Sequence, residues 1–232
     1  MTKPRVLVTG GSRGIGRAIA LRFAREGSQV VVAARSSPDL DRVVAEIEAA
    51  GGEGLAAQMN VGDEGSVEAA VYRAGEFCGS ALDVVVNCAG TFSIAPIDKT
   101  TSADWDRHIG VNLTGAFYVT QESLQYLEES DRPHIFNIAS IAARQGFPGN
   151  VAYCASKYGL RGFSDALRMD LESQNVRVST VYPRQTDTDL WEGVDGDWDR
   201  SQMDSPDVVA EAVWNAYNQP AGADVSDIEM PG

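Results

Sequence analysis

Three short runs of branched apolar residues constrain this chain most: Arg5-Val-Leu-Val-Thr9, Gln29-Val-Val-Val-Ala-Ala34 and Leu82-Asp-Val-Val-Val-Asn87. None of their Val-rich centres alternates apolar with polar, so each needs cover on both faces. Strands of that kind sit in parallel sheets between two layers of helices. The residues between them have helical spacing, as with Ile15, Ile19 and Phe23, four apart on one face of a helix over 14–26. The alternation continues. Further strands are expected at 54–60, 133–138, 176–182 and 224–229. Further helices are expected at 38–50, stopped by Gly51-Gly52, at 64–77, at 102–129 with a bend near Gly110 or Gly115, at about 150–173, and at 206–218 behind Ser205-Pro206. The expected fold is α/β, a doubly wound parallel sheet of about seven strands with helices on both faces. No linker divides it, so 1–232 is expected to be one domain, with the longest irregular stretch over 184–204.

The first turn of this pattern is rich in glycine. Thr9-Gly10-Gly-Ser-Arg13-Gly14-Ile-Gly16 joins the first strand to the first helix. Glycines there permit a tight turn and let backbone approach a pyrophosphate, with the positive end of the helix facing the phosphates. The lysine of a phosphate-binding P-loop is absent. A site for NAD usually has a carboxylate at the end of the second strand, about 20 residues on, to hold the ribose 2′-hydroxyl. This chain has Ala34 followed by Arg35. Arg35, helped by Arg13, suits a 2′-phosphate, which favours NADP.

Tyr153 and Lys157 lie four apart, on one face of a helix. A phenol with an ordinary pKa of about 10 is a poor proton donor or acceptor at neutral pH. An ammonium about 4 Å away would favour the phenolate by roughly 4 kcal/mol, on the order of three pKa units. Asn150 is expected to cap this helix, leaving Tyr153 in the first turn, where the helix dipole also favours an anion.

Composition removes other classes. The net charge is −14, spread along the chain, which argues against nucleic acid and anionic membranes as partners. No apolar run is long enough to span a membrane, and the N-terminus lacks a signal-peptide core. Cys78, Cys88 and Cys154 form no Cys-x-x-Cys pair, and His108 and His134 lie far apart, so no disulfide framework and no metal are expected. A reducing cytoplasm fits.

Taken in order, Thr9-Gly10-x3-Gly14-x-Gly16, Asn87-Cys-Ala-Gly90, Asn112, Ser140 and Tyr153-x3-Lys157 resemble the short-chain dehydrogenase/reductase family, in its compact single-domain branch, over nearly the whole chain. The resemblance implies a Rossmann-type sheet, hydride exchange with NADP(H), and a carbonyl or alcohol substrate. It implies Tyr153 as acid/base, Lys157 lowering its pKa and holding the nicotinamide ribose, Ser140 bonding the substrate oxygen, and Asn112 holding a water in a proton relay. It also implies cofactor contacts from Gly10, Ser12, Arg13, Gly14, Ile15, Gly16, Arg35, Asn60, Val61, Asn87, Ala89, Gly90, Tyr153, Lys157, Pro183 and Thr188, and assembly as a dimer or tetramer through the long helices of 102–129 and 153–173.

Four departures stand out. Asn60 occupies the place of the family's adenine-side Asp, with Asp63 a rival for that alignment. Cys88 replaces an Asn, Arg184 follows Pro183 where the family has Gly, and the short tail lacks the extension that closes the pocket in longer members. The expected activity is NADP-dependent interconversion of a ketone or aldehyde and an alcohol. A non-catalytic NADP-sensing regulator on the same fold is the alternative, and the complete set Asn112, Ser140, Tyr153 and Lys157 favours the enzyme. Epimerase or dehydratase chemistry through a transient ketone would need a larger substrate domain. The stretch 184–204 reads as a lid: Trp191 and Trp198 stand among Asp187, Asp189, Glu192, Asp195, Asp197, Asp199 and Asp204, which are expected to repel one another and keep the lid mobile. The acid excess with scarce lysine also resembles adaptation to high salt.

Overall fold

The computed structural model describes residues 3–194, 196–220 and 223–230. Its centre is a parallel sheet of β1 (Arg5–Thr9), β2 (Gln29–Ala34), β3 (Glu53–Gln58), β4 (Val84–Asn87), β5 (His134–Ile138), β6 (Arg177–Tyr182) and β7 (Asp227–Glu229), in the order β3-β2-β1-β4-β5-β6-β7. The helices are α1 (Gly14–Ala24), α2 (Ser37–Ala49), α3 (Glu64–Phe77), α4 (Ser102–Ile109), α5 (Gly115–Leu127), α6 (Val151–Leu171) and α7 (Pro206–Tyr217).

The unbroken valine runs have a direct structural cause. Val6, Val8, Val30, Val32, Val84 and Val86 point into one buried layer, where Ile19 and Phe23 of α1, Leu40 of α2 and Val213 of α7 cover them. Their neighbours Leu7, Val31 and Val85 point the other way, into a second layer closed by Val67 and Val71 of α3 and Val119 and Leu127 of α5. Side chains alternate across each strand, but both sides are interior.

Three boundaries differ from expectation. β4 starts at Val84 because the Leu82 N–H goes to the Tyr126 carbonyl at 2.9 Å and the Arg5 N–H goes to the Asp83 carboxylate at 2.8 Å, instead of to backbone across the sheet. β7 is confined to Asp227–Glu229, paired with β6 through Val181 and Ile228. The helical region expected over 102–129 is continuous but contains a five-residue π-helical segment, Gly110–Thr114, between α4 and α5. Gly115, just past it, lets the helix approach β3's exit loop: a Cβ there would meet the Val61 Cβ at 2.8 Å.

The strand order reverses between β1 and β4. Loops leaving the two strands therefore diverge and open a crevice at their C-terminal ends. Among the described residues no helix is long and apolar enough to cross a membrane, and no cluster of potential metal ligands occurs.

Candidate active site

The crevice is a cleft of about 1050 Å³ that runs from Arg35 and Asp39 at one end to Tyr153, Trp191 and Trp198 at the other. That volume is at the top of the range usual for ligand sites. Of the residues expected to contact a cofactor, Gly10, Ser12, Arg13, Gly14, Ile15, Gly16, Arg35, Asn60, Val61, Ala89, Gly90, Tyr153, Lys157, Pro183 and Thr188 all line it. Asn87 does not. It is buried behind the wall, where its Nδ2 donates to Thr120 Oγ1 at 3.1 Å and Asn137 Oδ1 at 2.8 Å, tying β4 to β5 and α5. Asp39, on the first turn of α2, lines the Arg35 end and carries no signal in the strand-end pattern.

Gly10 and Gly14 have φ of +66° and +54°, the left-handed region that favours glycine. A Cβ on Gly10 would lie 2.9 Å from the Ala89 backbone, so the β1 and β4 loops pack main chain to main chain. Thr9 secures that contact, its Oγ1 accepting the N–H of Cys88 at 3.0 Å and of Ala89 at 3.1 Å. The result is a floor of backbone under the N-terminus of α1, with Arg13 and Arg35 exposed beside it. Such a floor, helix end and pair of guanidinium groups fit a dinucleotide carrying an extra phosphate. Asp63 is no rival to Asn60 here: its Oδ1 caps α3 by accepting the Ser66 N–H at 2.8 Å, while Asn60 lines the cleft.

At the far end Ser140, in extended backbone after β5, and Tyr153, in the first turn of α6, both line the cleft, close enough for the Ser140 hydroxyl to favour the Tyr153 phenolate. The helix start is not capped as expected, since Asn150 Nδ2 donates to the Pro148 carbonyl and its side chain caps nothing. The expected lowering of the tyrosine is likewise not found. Burial pushes the Tyr153 phenol up to about 12, the Ser140 hydrogen bond only partly offsetting it. Lys157 donates to the Ile138 carbonyl oxygen at 2.8 Å, and its Nζ lies 5.8 Å from the Tyr153 ring centre. Burial also brings that ammonium down to about 8. Loss of water is the largest cause of both shifts. Cys88 is no reactive thiol, being pushed up to about 12 by burial.

Asn112 sits inside the π-helical segment, buried. Its Oδ1 accepts the Thr91 N–H at 2.8 Å, and its Nδ2 donates to the Thr91 carbonyl at 3.0 Å and to Ser156 Oγ at 2.9 Å. Ser156 donates onward to the Tyr153 carbonyl at 2.7 Å. Asn112 thus clamps the β4 loop to α6, both amide hydrogens being donated to protein groups.

Some of the lid charges expected to repel one another have partners. Asp187 pairs with Arg200, Asp189 lies 3.8 Å from Arg13 across the cleft, and Asp199 caps the turn Arg200–Gln202. Thr186 and Asp204 close its base as a bridge. Asp195 lies outside the described residues. Thr188 touches the glycine loop, 3.1 Å from where a Cβ on Gly14 would stand. The loop of Ser140 is fastened from outside by Arg144, which sequence patterns do not flag. Its guanidinium lies 3.9 Å from the Tyr182 ring centre and reaches Asp227 at 2.6 Å and Glu229 at 2.8 Å on β7.

A family model described as short chain dehydrogenase matches residues 4–197. The chain belongs to the short chain dehydrogenase family. It is 33% identical over 230 residues to a sepiapterin reductase of Chlorobaculum tepidum, covering 96% of this chain and 93% of that protein. It is 38% identical over 198 residues to a 3-oxoacyl-[acyl-carrier-protein] reductase of Synechocystis, covering 85% and 80%. Among solved structures, a short chain dehydrogenase from Burkholderia cenocepacia in complex with NADP superposes with a TM-score of 0.89 at 32% identity, over 100% of this chain and 97% of that one. This family member is an oxidoreductase by the names its relatives carry.

Proposed function

We propose that the chain is an NADP(H)-dependent oxidoreductase that interconverts a ketone or aldehyde and its alcohol, with Tyr153 as acid/base. The observation that carries this reading is that Ser140, Tyr153 and Lys157 line one end of the same cleft whose other end holds the glycine turn and Arg35. The Burkholderia relative's NADP complex supports the cofactor, as do Arg13 and Arg35 at the opposite end.

Bound NADPH would supply a hydride at the Tyr153 end. As negative charge grows on the substrate oxygen, the Ser140 hydroxyl donates a hydrogen bond and the Tyr153 hydroxyl gives up its proton. Burial pushes the Tyr153 phenol up to about 12, so it holds its proton at neutral pH, and the transfer relies on the nearby Lys157 charge to stabilise the phenolate that is left. Lys157 holds the floor of the site through Ile138 and presents positive charge toward the phenolate that forms. Asn112 acts as a positioning residue through Ser156.

Tyr153→Phe tests the reading, since it removes the proton and keeps the ring. NADPH binding should persist while carbonyl-dependent NADPH consumption falls by about two orders of magnitude or more. Turnover near the unaltered level would remove Tyr153 from the acid role.

A further inference from the structure

The cleft beyond Tyr153 is walled by aromatic rings. Phe92, from the loop after β4, meets the Tyr153 ring edge-on, centres 4.7 Å apart and planes at 68°. It also meets Trp191 of the lid at 5.4 Å and 70°. Trp191 lies 4.8 Å from Trp198. All line the cleft, and Phe147 from the Ser140 loop adds a ring that is 38% exposed. Three separate segments therefore contribute rings to one space.

The lid tryptophans are seated rather than loosely hung. Trp191 Nε1 donates to the Thr186 carbonyl at 3.0 Å, at the base of the lid. Gly196 has φ of +141°, and a Cβ there would stand 2.6 Å from Trp198 Nε1, so a larger residue would unseat that ring. Rings that served only as core would be fully buried, whereas Phe92, Trp191 and Trp198 are each partly exposed where they border the cleft. Of the charges beside this wall, Arg107 pairs with Asp104 at 2.9 Å and Asp189 lies 3.8 Å from Arg13, while Glu192 also borders the cleft.

We propose that the carbonyl this site reduces is attached directly to an aromatic ring, as in an aryl ketone or aryl aldehyde, with that ring packed on Phe92 and Trp191. This rests on the carbonyl-reductase reading above. Two features select an aryl group. The ring wall begins at Tyr153 itself, so the first substituent of the reacting carbon already meets it. Rings with positive edges and negative faces favour an aromatic partner over a saturated ring of the same area. In the reaction the carbonyl carbon gains a hydride from NADPH, and its π pair moves to oxygen. The oxygen takes the Tyr153 proton, giving an aryl carbinol and NADP⁺, and Tyr153 regains a proton from solvent.

The test compares acetophenone with cyclohexyl methyl ketone, which has the same carbon skeleton. Conjugation makes acetophenone the less electrophilic of the two, so intrinsic reactivity works against the expected result. We expect kcat/KM for acetophenone to be about tenfold higher, roughly 1.4 kcal/mol. Phe92→Leu and, separately, Trp191→Leu should each shrink that ratio severalfold, and a ratio unmoved by both changes would overturn the proposal. Binding is measured in parallel by calorimetry on Tyr153→Phe with NADPH, where no turnover interferes. Reduction of both ketones with equal kcat/KM and equal dissociation constants would overturn the aryl preference and leave the reductase reading standing. Tighter binding of acetophenone, without NADPH consumption by the unaltered protein on either ketone, would uphold the ring site and overturn the reductase reading alone.

Discussion

Lys157 donates its ammonium to the Ile138 carbonyl oxygen at 2.8 Å, joining α6 to the end of β5 inside the protein. Its pKa falls from 10.5 to about 8 because burial disfavours the charge. Below about 8 the folded chain carries that burial cost. Between about 8 and 10.5 the unfolded chain holds a proton that the folded chain has released, so stability rises with pH across that window. Lys157→Met removes the charge. We expect its Tm to exceed that of the unaltered protein at neutral pH by a few degrees, less whatever the unpaired Ile138 carbonyl takes back, and the gap to close by about pH 10. Circular dichroism melts across pH measure it; a Tm below the unaltered protein's at neutral pH would contradict the burial cost.

Cofactor selection is the second prediction. Arg35 is exposed at the cleft end, but Asp39 lines the same end and offers a carboxylate. NADPH should bind well above NADH in the unaltered protein, and Arg35→Ala should reduce the difference by about tenfold, as loss of a charge-assisted phosphate contact does. Titrations with both cofactors decide it. Equal dissociation constants before mutation would hand the end of the cleft to Asp39.

A third prediction concerns charge at the lid. Its ion pairs are exposed, with Arg13 and Asp189 at 57% and 45%, and so are weak and sensitive to salt. The net charge of −14 is screened by the same salt. We expect screening of the whole chain to dominate, so that Tm rises with added salt. A neutral substrate should outperform a carboxylate-bearing analogue of equal size, with the difference narrowing as salt is added. Preference for the anionic analogue at low salt would count against a repelling lid.

The fourth prediction is assembly. Phe117 on α5 and Tyr158 on α6 are 43% and 44% exposed, and the Phe117 and Phe163 rings lie 6.4 Å apart. A surface with that much aromatic area is expected to be covered by a second copy of the chain. Light scattering at micromolar concentration should give at least the mass of a dimer, and Phe117→Glu should lower it. A monomer before mutation would leave that face to another purpose.

Much of this architecture can be read from the residues because it depends on neighbours in the chain. The valine runs, the glycine turn and the Tyr153–Lys157 spacing are local patterns, and each falls in the expected element. The features that escape are set by distant partners. Arg13 and Asp189 come from opposite ends of the chain, so counting lid acids alone suggests repulsion where the fold supplies pairs. Asn112 is visible as a motif residue, but its commitment to Thr91 and Ser156 follows from a π-helical segment that no periodicity announces. The Tyr153 phenol goes up rather than down because spacing reports proximity to Lys157 and says nothing of how much water both groups lose.

Arg144 grips Asp227 and Glu229 on β7 and lies over the Tyr182 ring of β6, so the loop that follows Ser140 is fastened to two neighbouring strands at once. Such a latch makes the sheet's outer edge and the Ser140 loop one mechanical unit: whatever loosens β7 loosens the ground under Ser140 without touching the cleft itself.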